Sequence, residues 1–504
     1  MSSEDKQARF SALCRQSNFG CRLIMASNRG PVEYRFTENR ELVARRGSGG
    51  VVTALSGLSR NLDLVWVASA MGEGDRLAAA QAGGGSIKVS FEDEHLTLRL
   101  IVSPRSVYHR YYNIFCNPLL WFLQHNMWDS SRSPNIDRKV YDAWEKGYVP
   151  VNEAFARAVI EEAGRSQSPS VVLLNDYHLY LASSYIRQAL PDQIIQYFIH
   201  IPWPSPTYWQ LLPAVMRDAI LRSLCTSDIV GLQTARDVQS FLGSCTTFLK
   251  EAEVDHREQN VNLAGHTVRV RAYPISIDVP ILNELSDTSR FKEYVAKLRP
   301  LCGEKTVVRV DRMEPTKNII RGFRAYEIFL ERYPEFRGRV NFIAFLVPSR
   351  AHLRVYQRYN EDVQWLIEAI NRKYGTDDWQ PITYFYENNY TQALAGMSLY
   401  DVLLVNAVVD GMNLVAKEGP TVNGRNGVLV LSEGAGACEQ LGEYALVVSP
   451  ADLEGTVQAI YRALTMPDKE RRRRARGLKE AIAREDLSIW VLRMLEDAVS
   501  LIVR

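Results

Sequence analysis

SVVLLNDYHLYLASSYIRQALPDQIIQYFIH, residues 170–200, holds two unbroken apolar runs, SVVLLND and IIQYFIH, with an amphipathic stretch between them. An apolar run without alternation is buried on both faces, and strands of that kind belong to parallel sheets whose crossovers are helices. The same rhythm is met at CRLIMAS (21–27), LVWVAS (64–69) and SDIVGLQ (227–233). It restarts at KTVVRVDR (305–312) and continues through RVNFIAFL (339–346), PITYFY (381–386), YDVLLVNA (400–407) and GVLVLSE (427–433). Between these runs, 317–333 and 350–373 carry apolar residues at three- and four-residue spacing, which predicts helices. The expectation is an α/β protein with two Rossmann-like, doubly wound domains facing a cleft. ISIDVPILNELSDTSRF (275–291) breaks the strand pattern, so the first domain is set at 21–285 and the second at 286–484. Residues 1–20 form an N-terminal extension. The tail 485–504, with Trp490, Leu492, Leu495, Val499 and Ile502 apolar, reads as a helix that can cross back to the first lobe.

Composition narrows the class. Of 504 residues, 46% are hydrophobic, enough for two cores. No run reaches the roughly 18 apolar residues of a membrane span, and MSSEDKQARF lacks the apolar centre of a signal peptide. A soluble cytoplasmic protein without a membrane partner is expected. The seven cysteines are scattered, with no C-x-x-C, which argues for reduced thiols rather than a disulfide framework or zinc site. A net charge of +2 gives no broad field for nucleic acid. The basic run Arg471–Arg474 with Arg476 follows the helix-start pair Pro467-Asp468 and reads as a solvated helix face. Association into a homo-oligomer is left open.

In open α/β sheets ligands bind beyond the carboxyl ends of the strands, so polar residues there are the candidates for chemistry. Arg312 and Lys317 follow the strand at 305–311; two cations at a sheet mouth suit a departing pyrophosphate, though such pairs also occur on solvated faces. In VVDGMNLVAKE (408–418), Asp410 and Gly411 follow a strand and precede a helix start, where backbone N–H groups bind anions. Asp410 is placed to hold sugar hydroxyls, or is an N-cap, and Glu418, two turns on, to grip ribose hydroxyls. GSGG (47–50) lets backbone approach a ligand closely, or is a surface turn. Asp176 and His178 end one strand and His200 the next. Arg29 and Arg350 end strands in opposite lobes, where a cleft brings both to one anionic acceptor. Tyr112 and Trp121 add amphipathic rings of a type that normally packs in cores. No nucleophilic triad and no histidine pair with metal-ligand spacing is evident, so neither a metal nor a cofactor is expected.

Together SNRGP, GSGG, YYNIFCNPLLW, DYHL, HIPWPSP, GLQT, Arg312 with Lys317, PSR (348–350), DGMNLVAKE and VLVLSEGAGA resemble the trehalose-6-phosphate synthases, from about residue 21 to about 500. These are retaining glycosyltransferases of GT-B architecture. The resemblance implies transfer of glucose from UDP-glucose, or a related nucleotide-glucose, to glucose 6-phosphate, with the nucleotide-sugar as substrate and no cofactor. It implies that Arg312 and Lys317 bind the donor diphosphate, Asp410 the donor sugar and Glu418 the ribose, with His200 on the donor sugar. The backbone of Gly411, Met412, Asn413 and Leu414 would approach sugar and phosphates, and Gly49 and Gly50 would close over the donor. Asp176 would contact the acceptor sugar, and Arg29, Tyr112, Trp121 and Arg350 would clasp the acceptor phosphate. Three positions depart from the usual pattern: Asn175 before DYHL, Glu314-Pro315-Thr316-Lys317-Asn318 around the phosphate lysine, and Ser276 in PISID. They leave relatives with another phosphorylated acceptor as the alternative: glycerol 3-phosphate or a cyclitol phosphate, including pseudo-glycosyltransferases. A catalytically silent regulatory subunit is a third reading, disfavoured because Arg312, Lys317, Asp410 and Glu418 are all present.

Overall fold

The computed structural model describes residues 22–46, 63–91, 94–129, 133–165, 170–350 and 353–502. Two compact units form: Met1–Pro274 with Ser488–Arg504, and Ile275–Leu487. The first division falls at Pro274/Ile275 rather than 285/286, for a local reason. The Lys417 ammonium donates to the Ile275 carbonyl at 2.7 Å, and the Leu487 N–H donates to the Ile277 carbonyl at 3.0 Å. Residues 275–287 are thereby tied into the second unit.

In the first unit β1 (Arg22–Ser27), β4 (Asp63–Ser69), β6 (Glu94–Ile101), β7 (Ser170–Asn175), β8 (Ile194–Phe198) and β9 (Ile229–Leu232) form a parallel centre. Leu23–Ala26 of β1 are fully buried, as a strand covered on both faces must be. β2 (Val32–Phe36) and β3 (Leu42–Arg46) make a separate hairpin. β5 (Ser86–Phe91) runs antiparallel on one edge, and β10 (Glu253–Asp255), β11 (Asn260–Leu263) and β12 (His266–Ala272) complete the other. The full order is β10-β11-β12-β9-β8-β7-β1-β4-β6-β5. The helix Leu487–Val499 packs on this unit: Trp490 donates to the Tyr273 carbonyl at 3.0 Å and sets its ring edge against Phe198.

The second unit is a six-stranded, wholly parallel sheet of β13 (Lys305–Arg312), β14 (Val340–Val347), β15 (Ile382–Tyr386), β16 (Val402–Val405), β17 (Val428–Ser432) and β18 (Leu446–Val448). Its order, β15-β14-β13-β16-β17-β18, is the 3-2-1-4-5-6 order of a dinucleotide-binding sheet. The central strands of the first unit, β6-β4-β1-β7-β8-β9, repeat that order. Each unit therefore has a switch point where consecutive connections leave in opposite directions: β1/β7 in the first and β13/β16 in the second.

The basic run on helix Asp468–Arg484 is not a purely solvated face. Arg471 is only 7% exposed and donates to Asp401 at 3.1 Å and to the Asn426 and Arg425 carbonyls. Arg474, one turn on, donates to the Tyr444 and Ala445 carbonyls. Helical spacing puts these two on the packed side. Among the described residues no helix is long and apolar enough to cross a membrane.

Candidate functional site

At the β13/β16 switch point the chain builds a site for an anion. Beyond β13, Pro315 starts a short turn, Pro315–Lys317, that ends at Asn318 with φ +57°. Asparagine tolerates that left-handed conformation, and here its side chain donates to the Asn406 and Pro450 carbonyls at 2.9 and 2.7 Å. From inside, buried Arg309 grips Asp311 at 2.7 Å and donates to the carbonyls of Lys317 and Ile319 at 3.1 and 3.3 Å. The turn is thus fixed, and the Lys317 ammonium is held against the Asp410 carboxylate beyond β16. Asn413, itself at φ +76°, donates to the same carboxylate oxygen at 3.0 Å and accepts from the Ala416 N–H at 3.2 Å.

Between Asp410 and the helix Val415–Val422 the N–H groups of Gly411, Met412, Asn413 and Leu414 meet no acceptor among the described residues. Four unpaired donors beside a lysine make an anion cradle at a helix start. The loop is backed by residues 433–437: Asp410 N–H donates to Gly434 O, Gly436 N–H to Asp410 O, and Ala437 N–H to Met412 O, at 2.8–3.0 Å. Glycine is required at 434, because a Cβ there would lie 2.2 Å from the Val408 carbonyl oxygen.

Glu418 lies on the first turn of that helix and accepts from Tyr390 at 3.0 Å. Burial pushes its carboxyl up to about 7, against the opposing pull of the Tyr390 hydroxyl. Arg350 lies three residues past β14 at φ +41°. Its guanidinium donates to Glu314 and to the Tyr356 hydroxyl, both at 2.9 Å. Arg312 is 54% exposed and pairs with Glu314 at 3.2 Å. Burial alone would raise the Glu314 carboxyl; Arg312, Arg350, Lys317 and the Ser349 hydroxyl outweigh it and hold the group at about 2.

The β1/β7 switch point of the first unit has different chemistry. Arg29 follows β1 and is exposed. Asn28 beside it is buried and holds the helix that carries Tyr112: its side-chain oxygen accepts from Tyr108, Tyr111 and Ser69 at 3.0–3.3 Å. That helix, His109–Trp121, is π-type, with i→i+5 bonds and Pro118 inside it. Such widened turns are frequent at functional sites. Tyr112 stacks between Tyr108 and His178, at centroid distances of 5.5 and 5.8 Å. Asp176 follows β7 at φ +69° and accepts from the His200 N–H at 3.2 Å. Burial depresses the His200 ring to about 3, so it is neutral. Asn175 donates to the Ala26 and Leu173 carbonyls, which turns its oxygen toward His200 Nε2 at 3.2 Å. Nε2 then carries the proton, and Nδ1 offers a lone pair to a hydroxyl.

The structure gathers Arg312, Lys317, Arg350, Asp410, the 411–414 backbone and Glu418 into the second unit, and Arg29, Tyr112, Asp176 and His200 into the first. Trp121 is 2% exposed and stacks on His125. Gly49 and Gly50 lie outside the described residues. Sequence reasoning missed the supporting groups Glu314, Arg309, Tyr390, Asn175 and Gly434. Glu314 carried a usable signal, since a residue before proline is driven to an extended conformation and its side chain away from the helix path.

The family model for glycosyltransferase family 20 matches residues 21–500. The α,α-trehalose-phosphate synthase [UDP-forming] of Schizosaccharomyces pombe is 30% identical over 479 residues, 93% of this chain and 88% of the relative. The E. coli trehalose-6-phosphate structure bound with UDP-2-fluoro glucose superposes with TM-score 0.81 at 26% identity, over 95% of this chain and 99% of the other. A UDP-forming α,α-trehalose-phosphate synthase from Burkholderia xenovorans in complex with glucose-6-phosphate superposes with TM-score 0.80 at 27% identity, over 95% and 99%.

Proposed function

The chain belongs to glycosyltransferase family 20, and on that premise we propose that it transfers glucose from UDP-glucose to glucose 6-phosphate with retention, giving trehalose 6-phosphate and UDP. The observation that carries this reading is the β13/β16 cradle: four unpaired N–H groups at 411–414 beside Lys317. A pyrophosphate placed there gains donors and positive charge where negative charge develops as it leaves. Lys317 and the exposed guanidinium of Arg312 neutralise the departing diphosphate. Asp410, engaged by Lys317 and Asn413, is a weak nucleophile and suits the holding of sugar hydroxyls. Glu418 takes the ribose hydroxyls, and the neutral ring of His200 accepts from a donor-sugar hydroxyl. Asp176 orients the acceptor sugar, and Arg29, Tyr112 and Arg350 recognise its phosphate.

In the step itself the bond from the anomeric carbon to the diphosphate oxygen breaks, and the bond to the acceptor hydroxyl oxygen forms on the same face. The hydroxyl proton passes to the leaving phosphate oxygen. The protein contributes position and charge stabilisation, the terms that dominate when no covalent intermediate is used. The test is a panel of UDP-, ADP- and GDP-glucose against glucose 6-phosphate, glycerol 3-phosphate, a cyclitol phosphate and unphosphorylated glucose. The reading predicts the highest kcat/KM for UDP-glucose with glucose 6-phosphate. Equal use of unphosphorylated glucose would remove the phosphate clamp, and preference for another phosphate would replace the acceptor alone.

A further inference from the structure

Two arginines assigned to phosphates, Arg312 and Arg350, meet on one carboxylate that has no role in those assignments. Glu314 is fully buried. Its Oε1 accepts from the Ser349 hydroxyl at 2.7 Å and from Arg350 at 2.9 Å, and pairs with Arg312 at 3.2 Å. Its Oε2 is buried without a hydrogen-bond partner. The residue stands just before the Pro315–Lys317 turn in extended conformation (φ −131°, ψ 141°), yet its side chain does not cap that turn. It reaches instead to Arg312, the last residue of β13, and to Ser349 and Arg350 in the loop past β14. A buried carboxylate is costly unless its partners compensate. One buried partner would suffice for a purely structural pair. Here a second arginine, Arg312, comes from the solvent side, with half its side chain exposed.

We infer that Glu314 is a positioning residue whose single shared oxygen aims both Arg312 and Arg350, and so couples the donor diphosphate to the acceptor phosphate. The inference rests on the assignment of those arginines to the two phosphates. A guanidinium is a planar fork that matches a phosphate oxygen pair only when its plane is set, and an anchored carboxylate sets it. Occupation of Arg312 by the donor diphosphate draws it from the shared oxygen and leaves that oxygen to Arg350 and Ser349. The acceptor phosphate then meets a better-fixed arginine.

The two roles open to Glu314 have opposite signs. A mere counter-charge weakens anion binding, so its loss would lower both KM values. An orienting group strengthens binding, so its loss raises them. In Glu314→Gln, with melting temperature monitored to confirm the fold, KM for UDP-glucose and for glucose 6-phosphate is expected to rise about tenfold each, the order of one charge-assisted hydrogen bond. The effect on kcat is expected to be smaller. In an Arg350→Ala background the same change should leave the glucose 6-phosphate KM within about twofold while still raising that for UDP-glucose, because the acceptor effect acts through Arg350. Glu314→Asp, which keeps the charge one carbon back, should recover part of both losses, and it carries the comparison if the glutamine variant does not fold. Unchanged or lowered KM values in E314Q, or effects that multiply fully with Arg350→Ala, would overturn the coupling. Arg350→Ala with no effect on the acceptor would instead overturn the acceptor assignment and the coupling with it.

Discussion

The two switch points share a strand order and almost nothing else. At β1/β7 the groups are side chains with faces and lone pairs: a stacked Tyr108–Tyr112–His178 wall, an aspartate in left-handed backbone and a histidine kept neutral by burial. At β13/β16 they are backbone amides without an acceptor among the described residues, a lysine held on the half-buried Asp410, and arginines tied to the buried Glu314. The first suits sugar hydroxyls and a stereochemically exact fit, the second a polyanion whose charge grows during reaction. One sheet order thus supports both jobs, because the strands fix only where the loops begin, and the loops supply the chemistry.

The contrast can be broken most severely at Lys317. Lys317→Ala is expected to lower kcat by roughly 10²–10³, the scale of one preorganised charge-stabilising contact, with little change in acceptor KM and no loss of fold. A variant with near-native turnover would mean that the second switch point is not where leaving-group charge is stabilised. Next in size come the arginines proposed to bind the acceptor phosphate. Arg29→Ala and Arg350→Ala should each raise the glucose 6-phosphate KM about tenfold to a hundredfold. The Kd for UDP-glucose measured without acceptor should barely move for Arg29→Ala.

A smaller difference between the two sites depends on pH. Glu418 has its carboxyl raised to about 7 by burial, whereas His200 is pushed down to about 3. Ribose hydroxyls donate best to an ionised carboxylate, so donor affinity should tighten as pH rises through 7. Between pH 6 and 8 the UDP-glucose Kd should fall by about tenfold, and Glu418→Gln should flatten that profile. The stability sign is the reverse. A raised carboxyl favours the folded state below the ordinary glutamate range and loses that contribution as pH climbs through about 7. The smallest effect is expected at Tyr390. Its hydroxyl lowers the Glu418 carboxyl, so Tyr390→Phe should weaken UDP-glucose binding only severalfold and move the midpoint of the profile upward. A midpoint that moves down would show that Tyr390 does not act through Glu418.

The sheet centre was legible because β1, β4, β7, β8, β13, β14, β16 and β17 are near-continuous apolar runs, each ended by polar residues. β10–β12 were not: HTVRVRA alternates, half exposed, and reads equally as surface chain. Strand-end position pointed to Lys317 and Asp410 as candidates, and helix spacing to Glu418, because the chemistry sought there is carried by side-chain type. It could not find Glu314 or Arg309, whose roles come from burial and from partners on other loops. Arg471 failed for the same reason: a charge run looks solvated until Asp401 is seen beneath it.

Same-face transfer is read directly from the anomeric configuration of the product. Purified protein, UDP-glucose and glucose 6-phosphate, followed by proton and phosphorus NMR, should give UDP and a non-reducing disaccharide phosphate in which the transferred glucose keeps its α configuration. A β-linked product, or UDP released with free glucose and no disaccharide, would contradict same-face transfer at the β13/β16 cradle.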